Sequence, residues 1–263
     1  MSVYIVSHIE VTTELAEHES MLYGGDYRKR DEEFLLSITH DHFANSIAHK
    51  NKYYSELTSL YAINQVCQFE DLSYSGLMHY RRRFSQIPSS AFSRGKLFKK
   101  IYFYLIHKKG LYLTKSKIEE SLTEFDAILP QKVKFPCSMY EQFAKHHDVS
   151  DLLYARAALE KLFPDYLPAY DTYMASRDSH LFNMLIAKKE IINDYCNWIF
   201  PILDELEKTI DLDAKHGYQQ RCMGYIAERL INVYFLKNSQ IRTKEYLVVA
   251  DKDSDPRKVY VGI

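Results

Sequence analysis

Apolar and polar positions alternate along Val3–Ser7, and runs rich in β-branched and aromatic residues recur at Ser73–Met78, Asp126–Leu129, His180–Ala187 and Tyr246–Ala250. A period of two over stretches this short predicts strands. Between them the spacing lengthens. Asn51–Phe69 places Tyr54, Leu57, Thr58 and Tyr61 at i, i+3, i+4 and i+7, one face of a helix. Ser116 with Glu119 reads as a capping box that opens a helix towards Phe125. Ser150 is placed to cap Asp151–Phe163, which Pro164 then stops, and the longest helical patterns are Lys189–Ile210 and Tyr218–Asn238. Strands interleaved with helices predict an α/β fold with a central, mainly parallel sheet flanked by helices. No stretch has the composition of a linker, so the pattern predicts one domain over residues 1–263.

Composition removes several classes. A hydrophobic share of 46% is too high for a disordered chain, and 8 Gly with 7 Pro exclude collagen-like sequence. The cysteines at 67, 137, 196 and 222 form no close pair, which argues against a disulfide framework or zinc ribbon and for a reducing, cytoplasmic setting. The opening MSVYIVSHIE lacks the basic region of a signal peptide, and no apolar run reaches the roughly 18 residues of a spanning helix.

Net charge is −1, yet the charges are segregated. Leu72–Ile118 contains no Asp or Glu and holds eleven of the 34 basic residues, so the other 23 face all 35 acidic ones. Two features share that block. One is His79 followed by Arg81, Arg82 and Arg83 at the end of a predicted strand. Guanidinium forks bind phosphate oxygens bidentately, and the carboxyl ends of sheet strands are where α/β folds bind ligands. The alternative is a solvated basic turn. The other is a basic amphipathic segment at about 86–110, with Leu97, Ile101 and Leu105 at helical spacing between lysines. It suits an anionic membrane surface or, equally, an ordinary helix over the sheet.

The remaining candidate chemistry is sparse. No glycine-rich nucleotide fingerprint, P-loop, zinc signature or nucleophile elbow occurs. The pairs His40/His42 and His146/His147 invite a metal reading, but neighbouring helical histidines point about 100° apart. His180 and Asn183 open an otherwise apolar run; they line a pocket for hydroxyls or satisfy the backbone of a turn. Glu228 lies among Ile226, Leu230 and Tyr234, as a base against an apolar surface or as a salt bridge to Arg229 or Arg221.

Read in order, the segments resemble a known family. They are Ser7–His8, Asn45–Ser46–Ile47, Lys50–Asn51–Lys52–Tyr53–Tyr54–Ser55–Glu56–Leu57–Thr58, Gly76–Leu77–Met78–His79–Tyr80–Arg81–Arg82–Arg83–Phe84 and Asp126–Ala127–Ile128–Leu129–Pro130. Tyr140, His147 and Asp151–Leu152 follow, then His180–Leu181–Phe182–Asn183–Met184, Tyr195–Cys196–Asn197–Trp198–Ile199–Phe200 and Arg221 with Gly224 and Glu228–Arg229–Leu230. The chain is similar to the bacterial capsular and exopolysaccharide synthesis glycosyltransferases long catalogued as a domain of unknown function. It departs from them at Ile9, at Ser46–Ile47, at Ala62 and at Arg83, which replaces an aromatic residue.

The resemblance implies a GT-A-like fold and transfer of a sugar from a nucleotide-activated donor to a growing, lipid-linked capsular, O-antigen or exopolysaccharide glycan. Some members are galactofuranosyltransferases, which points to a UDP-linked galactofuranose or galactose donor and inverting transfer. The metal-holding Asp-x-Asp of many GT-A enzymes is missing after the Ser73–Met78 strand. Asp211/Asp213 and Asp251/Asp253 have the letters in the wrong places, so no cofactor is required and metal-independent transfer is favoured, with Mn²⁺ or Mg²⁺ as the alternative. His8, Asn45, Lys50, Asn51, Tyr54, Glu56, His79, Tyr80, Arg81 and Arg82 are then the expected nucleotide and diphosphate residues. His147, His180, Asn183, Arg221 and Arg229 are the expected sugar and acceptor residues. Glu228 is the first choice of base, with Asp151 and Asp126 behind it. The expected location is the cytoplasm, peripheral to the inner face of its membrane. Nucleic-acid binding is not expected, because the rest of the chain is acidic and carries no such motif. The competing class is a sugar- or nucleotide-binding relative that does not catalyse.

Overall fold

The computed structural model describes residues 2–8, 15–24, 46–69, 73–86 and 111–250. Its centre is a sheet in which β3 (Tyr74–His79) is flanked on one side by β1 (Ser2–Ser7) and then β2 (Glu19–Tyr23). On the other side come β8 (Leu185–Lys188), β5 (Ala127–Pro130) and β9 (Thr243–Tyr246). A hairpin carries β3 into β4 (Arg82–Phe84), which pairs with β10 (Val248–Ala250). β1 is parallel to β2 and β3, and β5 to β9, whereas β8 and β4 run against their neighbours. The sheet is therefore mixed but mostly of one direction. A separate short ribbon joins β6 (Val133–Lys134) to β7 (Asp178–Ser179).

Strand alternation sends successive residues to opposite faces. Tyr4, Val6, Leu77, Leu129 and Leu185 face one apolar core, while Val3, Ile5, Met78, Ile128 and Ile186 face another. The first and larger core is covered by helices: α2 (Leu57–Phe69), α5 (Ser150–Leu162), α6 (Leu167–Ala175), α7 (Lys189–Glu207) and α8 (Cys222–Lys237), with the single turn α1 (Asn51–Tyr54) ahead of α2. The second is closed by α3 (Lys115–Glu124) through Ile118 and Leu122. The short α4 (Met139–Ala144) starts at a capping box formed by Ser138 and Glu141. In α7, Ile192, Tyr195, Cys196, Ile199, Ile202, Leu203 and Leu206 repeat at three- and four-residue steps and are all buried. Each such large apolar side chain contributes roughly 1.5–3 kcal/mol on burial.

Gly76 shows why the centre of β3 is so small. A Cβ there would stand 2.2 Å from the Leu185 carbonyl oxygen and 2.5 Å from Ile186 Cα on β8. Three expected elements are broken. The Asn51–Phe69 helix is interrupted at Ser55, whose φ of 51° and ψ of −130° turn the chain out between α1 and α2. The His180–Ala187 strand begins only at Leu185, because Phe182 and Asn183 take φ of 78° and 49° in a left-handed turn. Tyr246–Ala250 divides between β9 and β10, which lie at opposite ends of the sheet path. The Ser116–Glu119 box does not form either; α3 starts at Lys115 with no side-chain cap. In α5, Ser150 is the first helical residue and is held by the Asp148 carboxylate, which accepts from its N–H at 3.0 Å and from its hydroxyl at 2.7 Å.

Candidate active site

β1 and β3 lie side by side with Val6 opposite His79, so His8 and the Tyr80–Arg81 turn emerge together at their carboxyl ends. The Tyr80 N–H donates to the Val6 carbonyl at 3.0 Å, and the His8 and Tyr80 rings meet edge to face at 5.7 Å. Across from them stand three turns from distant parts of the chain: Ser55–Glu56, Phe182–Asn183 and the start of α8.

These turns are tied by side chains. Glu228 on α8 accepts the Phe182 N–H at 2.6 Å, and the Phe182 carbonyl accepts from His79 Nε2 at 2.6 Å. Asn183 donates to Glu56 Oε1 at 2.7 Å and to the Gly224 carbonyl at 3.0 Å. Arg221 Nε donates to the Ser55 hydroxyl at 2.8 Å, with its Nη2 3.6 Å from Glu56 Oε2. Gly224 lies beneath the strained Ser55 turn, where an added Cβ would touch Ser55 Oγ at 3.4 Å. Non-glycine residues held at positive φ cost about 1–3 kcal/mol each, and such strain gathers at working sites. The second oxygen of Glu228 takes the neighbouring Arg229, whose other nitrogen reaches Gln142 at 2.6 Å.

The cationic wall is built from β3 and β4. Arg81 lies over the Tyr80 ring at 4.8 Å, and Arg82 lies over the Phe182 ring at 4.3 Å. Burial pulls the Arg82 guanidinium below its ordinary pKa while Glu228 and Glu56 push it back up. His79 is lowered by burial, and His8 by burial and then by Arg81 and Arg221, so both rings are weak proton carriers. Arg81, Arg82 and Arg221 thus face two carboxylates, Glu56 and Glu228, one of which already has Arg229. The cleft keeps positive charge to spare.

The structure therefore brings together His8, Glu56, His79, Tyr80, Arg81, Arg82, Asn183, Arg221 and Glu228, with Arg229 behind them. Other expected residues sit elsewhere. Arg83 points to the opposite face of the hairpin, where it makes a buried ion pair with Glu19 at 2.5 Å. The arginine triplet is split by strand alternation, and only its first two members reach the cleft. Asp126 precedes β5, at the end of the sheet opposite the cleft, where Lys188 and Arg242 hold its carboxyl well below the usual range. Asp151 is buried against Lys215 at 2.8 Å, and its pKa is raised by that burial. Lys50 pairs with Glu207 at 2.8 Å, Tyr54 is buried in the core, and Asn51 holds the Ser55 carbonyl and the Thr58 hydroxyl, both at 3.0 Å. These three support the α1–α2 bend, and the Asn51 amide also stands against Gly24 at the carboxyl end of β2. His180 is buried, bonded to the Pro130 carbonyl at 2.5 Å and clasped through its backbone by Asn232. His147 packs on Tyr225 of α8, its rings' centroids 4.1 Å apart. Asn45, the pair His40/His42 and the stretch 87–110 of the basic segment lie outside the described residues.

Sequence reading missed Ser55, Phe182 and Gly224 as site-builders. Gly224 could have been found, since it stands one turn from both Arg221 and Glu228. Among the described residues no three His, Cys, Asp or Glu side chains converge as metal ligands, and no helix is long and apolar enough to cross a membrane.

A family model described as a domain of unknown function (DUF4422) matches residues 2–239. The solved apo structure of the WbbM bifunctional glycosyltransferase is similar with a TM-score of 0.77 and 26% identity, over 95% of this chain and 45% of that one. The chain thus spans under half the length of that protein. No curated protein matches the sequence.

Proposed function

The chain belongs to the DUF4422 family, and from that membership, its likeness to a glycosyltransferase and the charged cleft we propose that it is a glycosyltransferase of GT-A-like fold using a nucleotide-sugar donor. The observation that carries this reading is the placement of Arg81 and Arg82 across the Phe182 turn from Glu228. In an inverting transfer the acceptor oxygen attacks the anomeric carbon. The bond from that carbon to the donor phosphate oxygen breaks, and the electron pair leaves on the diphosphate. Fixed guanidinium groups stabilise charge where it develops, without reorganisation during the step. Glu228 takes the acceptor hydroxyl proton. Glu56, Asn183 and Arg221 hold the turns that set the distance between the two. The arginines supply the charge that a metal supplies in many such enzymes, so transfer is proposed to proceed without one. The donor is proposed to be a UDP-linked galactofuranose or galactose, and the acceptor a lipid-linked capsular, O-antigen or exopolysaccharide glycan, reached by peripheral attachment to an anionic membrane.

The second reading, a relative that binds sugar nucleotides without transferring, is favoured by one feature: both Glu228 oxygens already have donors. Release of UDP from a panel of UDP-sugars, with and without saccharide acceptors, separates the two. Glu228→Gln abolishes transfer and leaves UDP affinity unchanged, whereas Arg81→Ala weakens UDP binding roughly tenfold or more. Full transfer by Glu228→Gln rejects the base, and loss of transfer on adding a chelator rejects the arginine-for-metal role.

A further inference from the structure

Beside the cleft stands a group of rings that the proposed mechanism does not use. Tyr218 lies in the 3₁₀ turn Gly217–Arg221 that leads into α8 and is 63% exposed. Its ring centroid is 4.9 Å from that of Tyr225 and 5.7 Å from that of His147, with the His147 plane within 14° of parallel. His147 stacks on Tyr225 and rests on the buried Phe143 ring at 4.7 Å. The exposed ring is therefore seated on a base of two others anchored in the core.

The turn that presents it is fixed. Gly217 takes φ of 55°, a left-handed position that suits glycine, and Gln219 donates to the His146 carbonyl at 2.8 Å. Within the ledge His147 is uncharged at neutral pH, because burial and then Arg229 lower it to about 4, while the Arg221 guanidinium lies over the Tyr225 ring at 5.7 Å. It is also continuous with the cleft. Tyr225 lies one turn after Arg221 and one turn before Glu228, on the same face of α8. The Glu228 charge acts on both Tyr225 and His147. The cationic wall of β3 and β4 stands on the other side of the Phe182 turn. Arg221 joins the ledge to the cleft, lying over the Tyr225 ring and standing 3.6 Å from Glu56.

We infer that Tyr218, Tyr225 and His147 form a stacking ledge for a sugar ring of the acceptor glycan. A pyranose or furanose ring presents one face of C–H bonds, which complements the electron-rich face of an aromatic ring, while its hydroxyls stay in water at the rim. An ordered, exposed ring seated on two others offers that ligand a flat apolar face. The assignment rests on the transferase reading above only in making the glycan the acceptor.

The test is saturation-transfer NMR on the full chain with lactose, cellobiose and maltose as probes, and calorimetry with UDP in parallel. The wild type saturates the ring C–H protons of at least one disaccharide. Tyr218→Ala weakens that binding roughly two- to tenfold, Tyr218→Phe and Tyr218→Trp retain it, and UDP affinity is the same in all four proteins. Three results overturn the ledge: no sugar signal in the wild type, equal sugar binding in Tyr218→Ala, or a loss of UDP affinity in Tyr218→Ala, which would give the ledge to the nucleobase. A wild type that binds disaccharide through Tyr218 but neither binds UDP nor releases it from any donor would instead overturn the transferase reading and leave the ledge standing.

Discussion

Replacing Arg83 by alanine separates the two roles within the arginine triplet. Its guanidinium pairs with Glu19 where the two side chains are only 4% and 1% exposed, and it also lies over the Tyr112 ring at 4.9 Å. After truncation the Glu19 carboxylate keeps the Ala16 N–H at 2.8 Å but loses this countercharge inside the fold. Removing one member of a buried ion pair costs about 3–5 kcal/mol, a large share of the roughly 5–15 kcal/mol that holds a domain folded. With a urea dependence near 3 kcal/mol per molar, the unfolding midpoint falls by about 1–1.7 M. The sole tryptophan, Trp198, is buried in α7 and reports the transition by fluorescence. Changing both partners to apolar residues of similar size, Glu19→Leu with Arg83→Met, restores most of the loss, because no uncompensated charge remains. Folded Arg83→Ala binds UDP as the wild type does. An unchanged midpoint together with a roughly tenfold loss of UDP affinity would place the Arg83 side chain in the cleft and refute the split.

Two further outcomes follow from packing and burial. Gly76→Ala forces a methyl group against the backbone of β8, which cannot rotate away, so a loss of about 3 kcal/mol or more is expected in thermal melts; a melting temperature within a few degrees of wild type would mean that the strands can part cheaply. His147, at about 4 in the fold against 6.5 when exposed, is neutral in the folded protein over a range where the unfolded chain binds its proton. The stability from its burial is therefore complete above pH 6.5 and is lost as pH falls towards about 4. His147→Phe should flatten the decline of the urea midpoint across that window, and a curve parallel to wild type would contradict the burial.

Much of the cleft was legible because its residues fall in short motifs at the ends of well-patterned elements. β1 announces itself by alternation and β3 and β5 by their runs of strand-forming residues, and the segment from Gly76 to Arg82 delivers a strand, its exit and two cations in one reading. What escaped was decided by contacts between distant positions. Alternation predicts that Arg82 and Arg83 point apart, but only the pairing with β2, through Glu19, explains why Arg83 is drawn inward. The break at Ser55 is held partly by its neighbours Asn51 and Thr58 and partly by Arg221, 166 residues away, which no local pattern reveals. The apolar run after His180 looks like strand because the left-handed Phe182 and Asn183 are stabilised by Glu228 and Glu56, not by local turn chemistry. Asp126 and Asp151 looked like free carboxylates for the same reason: Lys188, Arg242 and Lys215 come to them from far along the chain.

The two peptide groups that meet at Phe182 Cα are held at both ends, the N–H by Glu228 on α8 and the carbonyl by His79 on β3. Each peptide is planar, and with Phe182 held at φ 78° the pair works as a gauge block set between helix and sheet. The same residue's ring seats Arg82, so the carboxylate and the cations are calibrated by one part. Neither can be re-aimed alone. On the transferase reading proposed above, variation in the accepted glycan would fall outside the gauge, in surfaces such as the Tyr218 turn, which can be re-cut without moving Glu228 against Arg82.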